Sequence, residues 1–74
     1  MITETITIEV DGDPFKTAHA KRTGAQIKAL AHKPPANILY KINGHHRVEI
    51  ADDQEIHLHD GEKFMTQPPV GGAS

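Results

Sequence analysis

The residues best suited to chemistry stand near the end of the chain, where Gly71 and Gly72 follow the prolines Pro68 and Pro69. Paired prolines favour an extended polyproline segment, which would hold the chain end clear of the folded body. Glycine has no β-carbon, so the narrow channel of an enzyme can close around this backbone. The same composition also fits an ordinary flexible terminus without chemistry of its own.

The six histidines raise the question of a metal site. His57 and His59 are two residues apart and would share one face of a strand, whereas the adjacent pair His45 and His46 would diverge. A zinc site needs three or four converging ligands, and this spacing does not provide them. We interpret the histidines as exposed sheet and loop residues, and we expect neither a metal nor another cofactor.

Other polar residues do not form a catalytic pattern. Asp52, Asp53 and Asp60 lack the ligand spacing of a calcium loop, and we expect them in solvated turns. No arrangement of serine, histidine and aspartate forms a recognisable nucleophile motif. We therefore expect no catalytic residues and no enzymatic activity.

Composition limits both size and class. The 74 residues suffice for one small domain, and they include no cysteine, which excludes disulfides and thiol nucleophiles. A formal net charge of −2 argues against a nucleic-acid-binding face. No apolar run approaches the roughly 20 residues that cross a membrane. We expect a soluble, cytoplasmic monomer that binds neither nucleic acid nor membrane.

The first part of the chain predicts a β-hairpin. Apart from Glu4, apolar and polar residues alternate from Ile2 to Val10, which is typical of a half-buried strand. Asp11-Gly12 suits a tight turn because both residues tolerate positive φ. The returning strand is predicted from Pro14 to Ala20, with Phe15 toward the core, and Pro14 indicates an edge strand.

A short helix is predicted next. Thr23-Gly24-Ala25-Gln26 matches a capping box, in which the threonine and glutamine side chains each satisfy a free backbone N–H. The helix must end before Pro34, so it spans about nine residues and needs a sheet to lie on. Its apolar stripe consists of Ile27, Leu30 and Ala31.

The remaining residues predict a second hairpin and a last strand. Ile38 to Ile42 and His45 to Ile50 are the two strands of the hairpin, and Asn43-Gly44 is its turn. Glu55 to His59 form either a short extended piece or a tight helical turn. Glu62 to Gln67 are the last strand, which Pro68 ends.

The order of these elements predicts an α+β fold of the β-grasp type. The helix connects two hairpins and covers one face of a mixed sheet of four to five strands, and the last strand pairs in parallel with the first at its centre. Residues 1–67 are the predicted domain. Residues 68–74 are the predicted flexible tail, with the glycine pair and a two-residue extension.

Three stretches follow one another in a characteristic order and spacing: Ile6 to Gly12, Thr23 to Ile27 and Phe64 to Pro68. With Val70-Gly71-Gly72 after them, they make the chain resemble the bacterial ubiquitin-like modifiers of the multiubiquitin type, from conjugation operons. Such modifiers are encoded beside activating, conjugating and deconjugating enzymes. The matching stretches span nearly the whole chain, and the resemblance implies a protein modifier that is not itself an enzyme.

In such modifiers the carboxylate of the final glycine is adenylated with ATP, passed to a cysteine thiol and joined to an amine. The resemblance implies that Gly72 is the conjugation terminus, that Gly71 gives clearance beside it and that Val70 lies in the groove leading there. Ala73 and Ser74 follow the glycine pair. We therefore expect a peptidase to remove them before activation.

The resemblance also implies the partners: an activating enzyme, a conjugating enzyme, a maturing or deconjugating peptidase, and the target proteins. Possible acceptor amines for chain formation are Lys16, Lys21, Lys28, Lys33, Lys41 and Lys63.

One face of the sheet is a candidate docking surface, as in proteins of this kind. Ile38, Tyr40 and Ile42 have the opposite parity to Leu39, so one of the two sets must face outward. We name Leu39 and Tyr40 as the candidate docking residues.

Two other functions fit the same fold. A sulfur carrier would use a thiocarboxylate on Gly72, although such carriers usually end at the glycines. A β-grasp interaction domain would bind partners through its surface and leave the tail idle. Deleting residues 71–74 separates the candidates, since binding would survive in the interaction domain, whereas function would be lost wherever it uses the Gly72 carboxylate.

Overall fold

The computed structural model describes residues 5–69, which form seven strands and one helix. In chain order these are β1 (Ile6–Val10), β2 (Asp13–Thr17), β3 (Lys21–Thr23), α1 (Gly24–Leu30), β4 (Ile38–Asn43), β5 (His46–Ile50), β6 (Glu55–His57) and β7 (Lys63–Gln67). No helix within residues 5–69 has the length and apolar character to cross a membrane.

Five of the strands form one mixed sheet in the order β2-β1-β7-β4-β5. The last strand, β7, lies at its centre, parallel to β1 and antiparallel to β4. The outer pairs, β1 with β2 and β4 with β5, are antiparallel hairpins. This sheet with one helix across it is the predicted ubiquitin-like β-grasp fold.

A second, small sheet lies outside the sequence prediction. It consists of β3 and β6, which pair antiparallel with Lys21 opposite His57 and Thr23 opposite Glu55. The sequence predicts either an extended piece or a helical turn at residues 55–59, and the structure shows that residues 55–57 are extended. Each of these strands is only three residues long, which is too short for a pattern of alternation to be recognised.

The core lies between α1 and one face of the five-stranded sheet. Its buried residues are Ile8, Val10, Ile27, Ala31, Leu39, Ile50, Leu58 and Phe64. Phe15 and Leu30 are partly buried and pack against the core, as the sequence predicts.

Leu39 is a correction to the docking prediction. Its side chain is 1 % exposed and lies in the core, so it cannot be part of a docking surface. Alternation along β4 places Leu39 on the helix side and turns Tyr40 to the opposite face. Parity alone divided the strand into two sets, and only the position of α1 decides which set is buried.

The capping box forms as predicted and fixes the start of α1. The Gln26 N–H donates to Thr23 Oγ1 at 3.3 Å, and the Thr23 N–H donates to Gln26 Oε1 at 2.8 Å. Gly24 is required beside it, because a β-carbon there would collide with the carbonyl oxygen of Ala51. The loop after β5 thus packs directly on the first turn of the helix.

Three of the differences from the predicted elements concern the helix, β2 and the second hairpin. The helix has seven residues rather than about nine, because His32 takes a left-handed φ of 58° and turns the chain out of the helix before the prolines. Strand β2 ends at Thr17, three residues before the predicted end.

The third difference concerns the second hairpin. Asn43 pairs with His46, so its two-residue turn is Gly44-His45 rather than Asn43-Gly44. Gly44 has a φ of 64°, whereas His45 does not have positive φ. This is the pattern of a type II′ turn, in which glycine occupies the first central position.

Candidate functional site: the base of the tail and the open face of the sheet

The predicted conjugation terminus, Gly72, stands five residues after the end of β7 in the sequence. The strand ends at Gln67, and Pro68 and Pro69 after it are exposed. Val70, Gly71 and Gly72 lie outside the described residues, as do Ala73 and Ser74, so their assigned roles stay predictions. What the structure describes is how the body holds the strand that leads to them.

Asp11 holds the end of β7 from the neighbouring hairpin turn. The backbone N–H of Thr66 donates to Asp11 Oδ1 at 2.8 Å, and the Thr66 hydroxyl donates to Oδ2 at 2.6 Å. The Asp11 N–H in turn donates to the carbonyl of Phe64 at 3.0 Å. We call this set of bonds the Asp11–Thr66 clamp, and it lies one residue before β7 ends.

The Asp11–Thr66 clamp requires Asp11 as an anion. Partial burial raises the pKa of its carboxyl, but the hydrogen bonds from Thr66 and the Lys33 ammonium at 3.2 Å outweigh burial and hold the pKa below its ordinary value. Asp11 also has a φ of 53°, which aspartate tolerates better than most residues. Charge and backbone shape therefore both favour this residue.

Glu62 holds the other end of β7. Its carboxylate is 2.7 Å from Lys41 Nζ and accepts the His59 N–H at 2.8 Å. Burial raises the pKa of Glu62, and the bonds from Lys41 and His59 lower it by more, so the net pKa is below the ordinary value. The strand that leads to the tail is thus fixed by a carboxylate at each end.

The face of the five-stranded sheet opposite α1 carries an apolar patch. We call this side the open face. Strand register places Tyr40 beside Met65 of β7, with Ile38 and Ile42 on the same side of β4. All four side chains are half-buried, and together they form the apolar patch.

Arg47 on β5 borders the apolar patch. Its guanidinium carbon lies 5.0 Å from the centre of the Tyr40 ring, which is cation–π geometry. Its Nη1 is 3.8 Å from the sulfur of Met65. An aromatic ring, a thioether and a guanidinium next to apolar side chains are residue types that are enriched in protein interfaces.

Lys28 cannot be an acceptor amine in the folded protein. It is 3 % exposed, and its Nζ donates to the carbonyls of Pro35 and Asn37, each at 2.7 Å, and pairs with Asp52 Oδ1 at 2.6 Å. All three ammonium protons therefore have partners. Lysines with exposed side chains are Lys16, Lys21 and Lys63.

All six histidines and the turn aspartates are exposed. His57 and His59 share a side, with ring centres 5.2 Å apart. Within residues 5–69 no three His, Asp or Glu side chains converge on a common point. Asp52 and Asp60 lie in exposed turns, and Asp60 accepts the Thr7 N–H at 2.7 Å.

The described body matches one known family. The family model for multiubiquitin aligns with residues 6–69. The chain belongs to the multiubiquitin family. No curated protein and no solved structure matches it. The match covers all seven described strands and the helix, so the body is a ubiquitin-like domain. The match ends at Pro69, just before the glycine-containing tail.

Sequence analysis missed two features of the site. The Asp11–Thr66 clamp joins residues 55 apart, and neither position shows the contact until β1 and β7 are known to be parallel neighbours. Arg47 could have been recognised as a residue of the open face, because its parity in β5 is opposite to that of Val48 and Ile50 and a short turn joins β5 to β4. The distance from Arg47 to Tyr40 follows only from the register of that hairpin.

Proposed function

We propose that this protein is a ubiquitin-like protein modifier that is conjugated through Gly72. Removal of Ala73 and Ser74 exposes the Gly72 carboxylate, which is activated with ATP and joined to amines of target proteins. The observation that carries the proposal is the position of β7 at the centre of a multiubiquitin domain, followed in the sequence by Pro68, Pro69 and then Val70-Gly71-Gly72. In this function the domain is a substrate of the conjugating enzymes and has no catalytic residue.

In this proposal the folded body orients the segment that begins at Pro68. Because the Asp11–Thr66 clamp fixes β7 one residue before its end, the segment beginning at Pro68 starts from a defined point and heading. Two consecutive prolines restrict φ and favour continued extension. An activating enzyme that binds the body therefore meets Pro68 and Pro69 in a narrow range of directions, and less conformational entropy is lost on binding.

The open face supplies the docking surface in this proposal. The apolar patch and Arg47 lie on the side opposite α1, and β7 borders the patch through Met65. An activating enzyme that contacts this patch would thus hold the same strand that leads to the tail. Tyr40→Ala is expected to weaken its binding about tenfold, since a central aromatic anchor commonly contributes that much. Unchanged affinity would remove Tyr40 from the docking surface.

The conjugation proposal is tested with three forms of the protein in ATP-supplemented extract from its source organism. The forms are the full chain, a chain ending at Gly72 and a chain ending at Val70. Intact mass and gel mobility are followed. The full chain should lose two residues and then form higher-mass conjugates, the chain ending at Gly72 should form them without trimming, and the chain ending at Val70 should form none.

Two results would contradict the proposal. Conjugates of the chain ending at Val70 would show that the glycine pair is not the reacting end. Absence of ATP-dependent conjugates from the chain ending at Gly72 would show that its carboxylate is not activated.

An interaction domain with an idle tail is the second candidate, and the apolar patch is the observation that favours it. In that function, partner binding depends on Tyr40 and is unchanged when residues 71–74 are deleted. A sulfur carrier is distinguished in the same mass experiment, because its product is a thiocarboxylate on a free chain rather than a conjugate. The three functions therefore give three different mass patterns.

A further inference from the structure

Strand β5 is an edge of the five-stranded sheet and pairs with β4 alone among the described strands. Residues 46–49 are exposed, and only Ile50 at the end of β5 is buried. Val48 is 51 % exposed, and within residues 5–69 the other large apolar side chains are buried or half-buried. An open edge with an exposed apolar residue at its middle is a template for another strand.

The opposite edge of the sheet is protected. Strand β2 contains Pro14, which has no N–H to offer a neighbouring strand. Strand β5 has neither a proline nor a glycine, and its register against β4 runs without a bulge from His46 to Ile50. The two edges therefore differ in their capacity to accept a further strand.

The hairpin determines which backbone groups of β5 face outward. A two-residue turn joins Asn43 and His46, and such a turn makes the flanking residues a hydrogen-bonded pair. Bonded and non-bonded pairs alternate along an antiparallel ladder, so Val48 and Ile50 also bond to β4. The N–H and C=O groups of Arg47 and Glu49 point away from the sheet.

The side chains of β5 are self-complementary when Arg47 and Glu49 carry the outward backbone groups. When two copies of the strand run antiparallel with Val48 at the centre, Arg47 of each copy lies opposite Glu49 of the other. These are the residues with outward backbone groups, so each such pair exchanges two hydrogen bonds. The two Val48 side chains then form the non-bonded pair, in which side chains approach most closely.

We propose that two copies of this chain associate through their β5 strands in this register. The contact is isologous, with a two-fold axis beside Val48, and it joins two five-stranded sheets into one continuous sheet. Arg47 and Glu49 meet on the open face, where Arg47 already lies beside Tyr40. The association replaces the expectation of a monomer and occurs at high protein concentration, because the contact is small.

The test uses reversal of charge on β5. Arg47→Glu places glutamate opposite glutamate in both symmetric pairs, and Glu49→Arg places arginine opposite arginine. Each variant alone should lower the association constant about tenfold, measured by sedimentation equilibrium up to about 2 mM, since opposed like charges across strands are destabilising. An equimolar mixture of the two variants restores both pairs and should associate within about threefold of the parent protein.

Matched controls lie on the protected edge. Lys16→Glu and Asp13→Lys on β2 change net charge by the same amounts and touch exposed residues. They should leave the association constant unchanged. Circular dichroism melts check that all four variants fold.

Amide chemical shifts provide a second measurement on the full chain. Dilution should move the amide signals of Arg47 and Glu49 more than those of β2. A monomer at every concentration would overturn the proposal. So would association that both charge reversals leave intact, or failure of the mixture to recover it.

Discussion

Strands β7 and β5 lie two positions apart in the same sheet, but they differ in neighbouring strands, burial and polar contacts. Strand β7 has a neighbouring strand on each side and the buried side chain of Phe64. The Asp11–Thr66 clamp lies at one end of it and the Glu62–Lys41 ion pair at the other. Strand β5 has one neighbour among the described strands and exposes Val48. Polar contacts to Thr66 and beside Lys63 thus fix β7 at both ends, whereas β5 has an unpaired edge among the described strands.

The difference in burial gives the largest expected effect. Phe64→Ala in β7 removes a side chain that is 2 % exposed and should lower the free energy of unfolding by about 3–5 kcal/mol. Val48→Ala in β5 should change it by no more than about 0.5 kcal/mol. Urea unfolding followed by circular dichroism measures both. Similar losses in the two variants would contradict the comparison.

The Asp11–Thr66 clamp should have the next largest effect. Asp11→Asn keeps the left-handed backbone but removes the charge that both Thr66 bonds and Lys33 require, so we expect a loss of about 1 kcal/mol. Asp13→Asn, two residues away in an exposed position, is the matched control and should be neutral. Amide hydrogen exchange at Thr66 should accelerate only in the Asp11 variant. Equal effects of the two substitutions would argue against the clamp.

Acid provides a third test of the same strand. The pKa values of Asp11 and Glu62 are lower in the folded state than their ordinary values, so both groups stabilise the fold above about pH 4. That stabilisation disappears as pH falls through the folded-state pKa values. In the double variant Asp11→Asn, Glu62→Gln, the free energy of unfolding should fall less between pH 6 and pH 2 than in the parent protein. Parallel curves for the two proteins would show that neither carboxylate is responsible.

The smallest effect is expected at Arg47. Arg47→Gln removes the cation over Tyr40 and should cost about 0.5 kcal/mol of stability, the usual value at exposed sites. Tyr40 is the only tyrosine in a chain without tryptophan, so its fluorescence reports this contact directly. We expect the emission of Tyr40 to change in the Arg47 variant and to be unaffected by Lys16→Gln on β2. Unchanged emission would show that the guanidinium does not stay over the ring.

Sequence patterns correctly predicted the elements that depend on interactions between neighbouring residues. The capping box at Thr23, the edge strand with Pro14 and the Asp11-Gly12 turn each depend on neighbouring residues, and all three form. The parallel pairing of the last strand with the first followed from the order of the elements. The family resemblance agrees with the multiubiquitin match over residues 6–69.

The features that could not be predicted from the sequence depend on tertiary packing. The alternation of β4 was recognised, but the position of α1 decides that Leu39 is buried and Tyr40 is not. The Gly44-His45 turn differs by one residue from the predicted turn, because the register of β4 and β5 takes precedence over the preference of Asn-Gly for a type I′ turn. The roles of Gly71 and Gly72 stay predictions, since they lie outside the described residues.

Lys28 gives the molecule a built-in reporter of its own opening. Because its ammonium is enclosed by two carbonyls and Asp52, an amine-directed reagent reaches it only in molecules whose helix has separated from the following loop. Lys16 on the surface reacts whether or not the fold is intact. The ratio of labelling at Lys28 to labelling at Lys16, read by mass spectrometry, therefore counts opening events in native buffer without any denaturant.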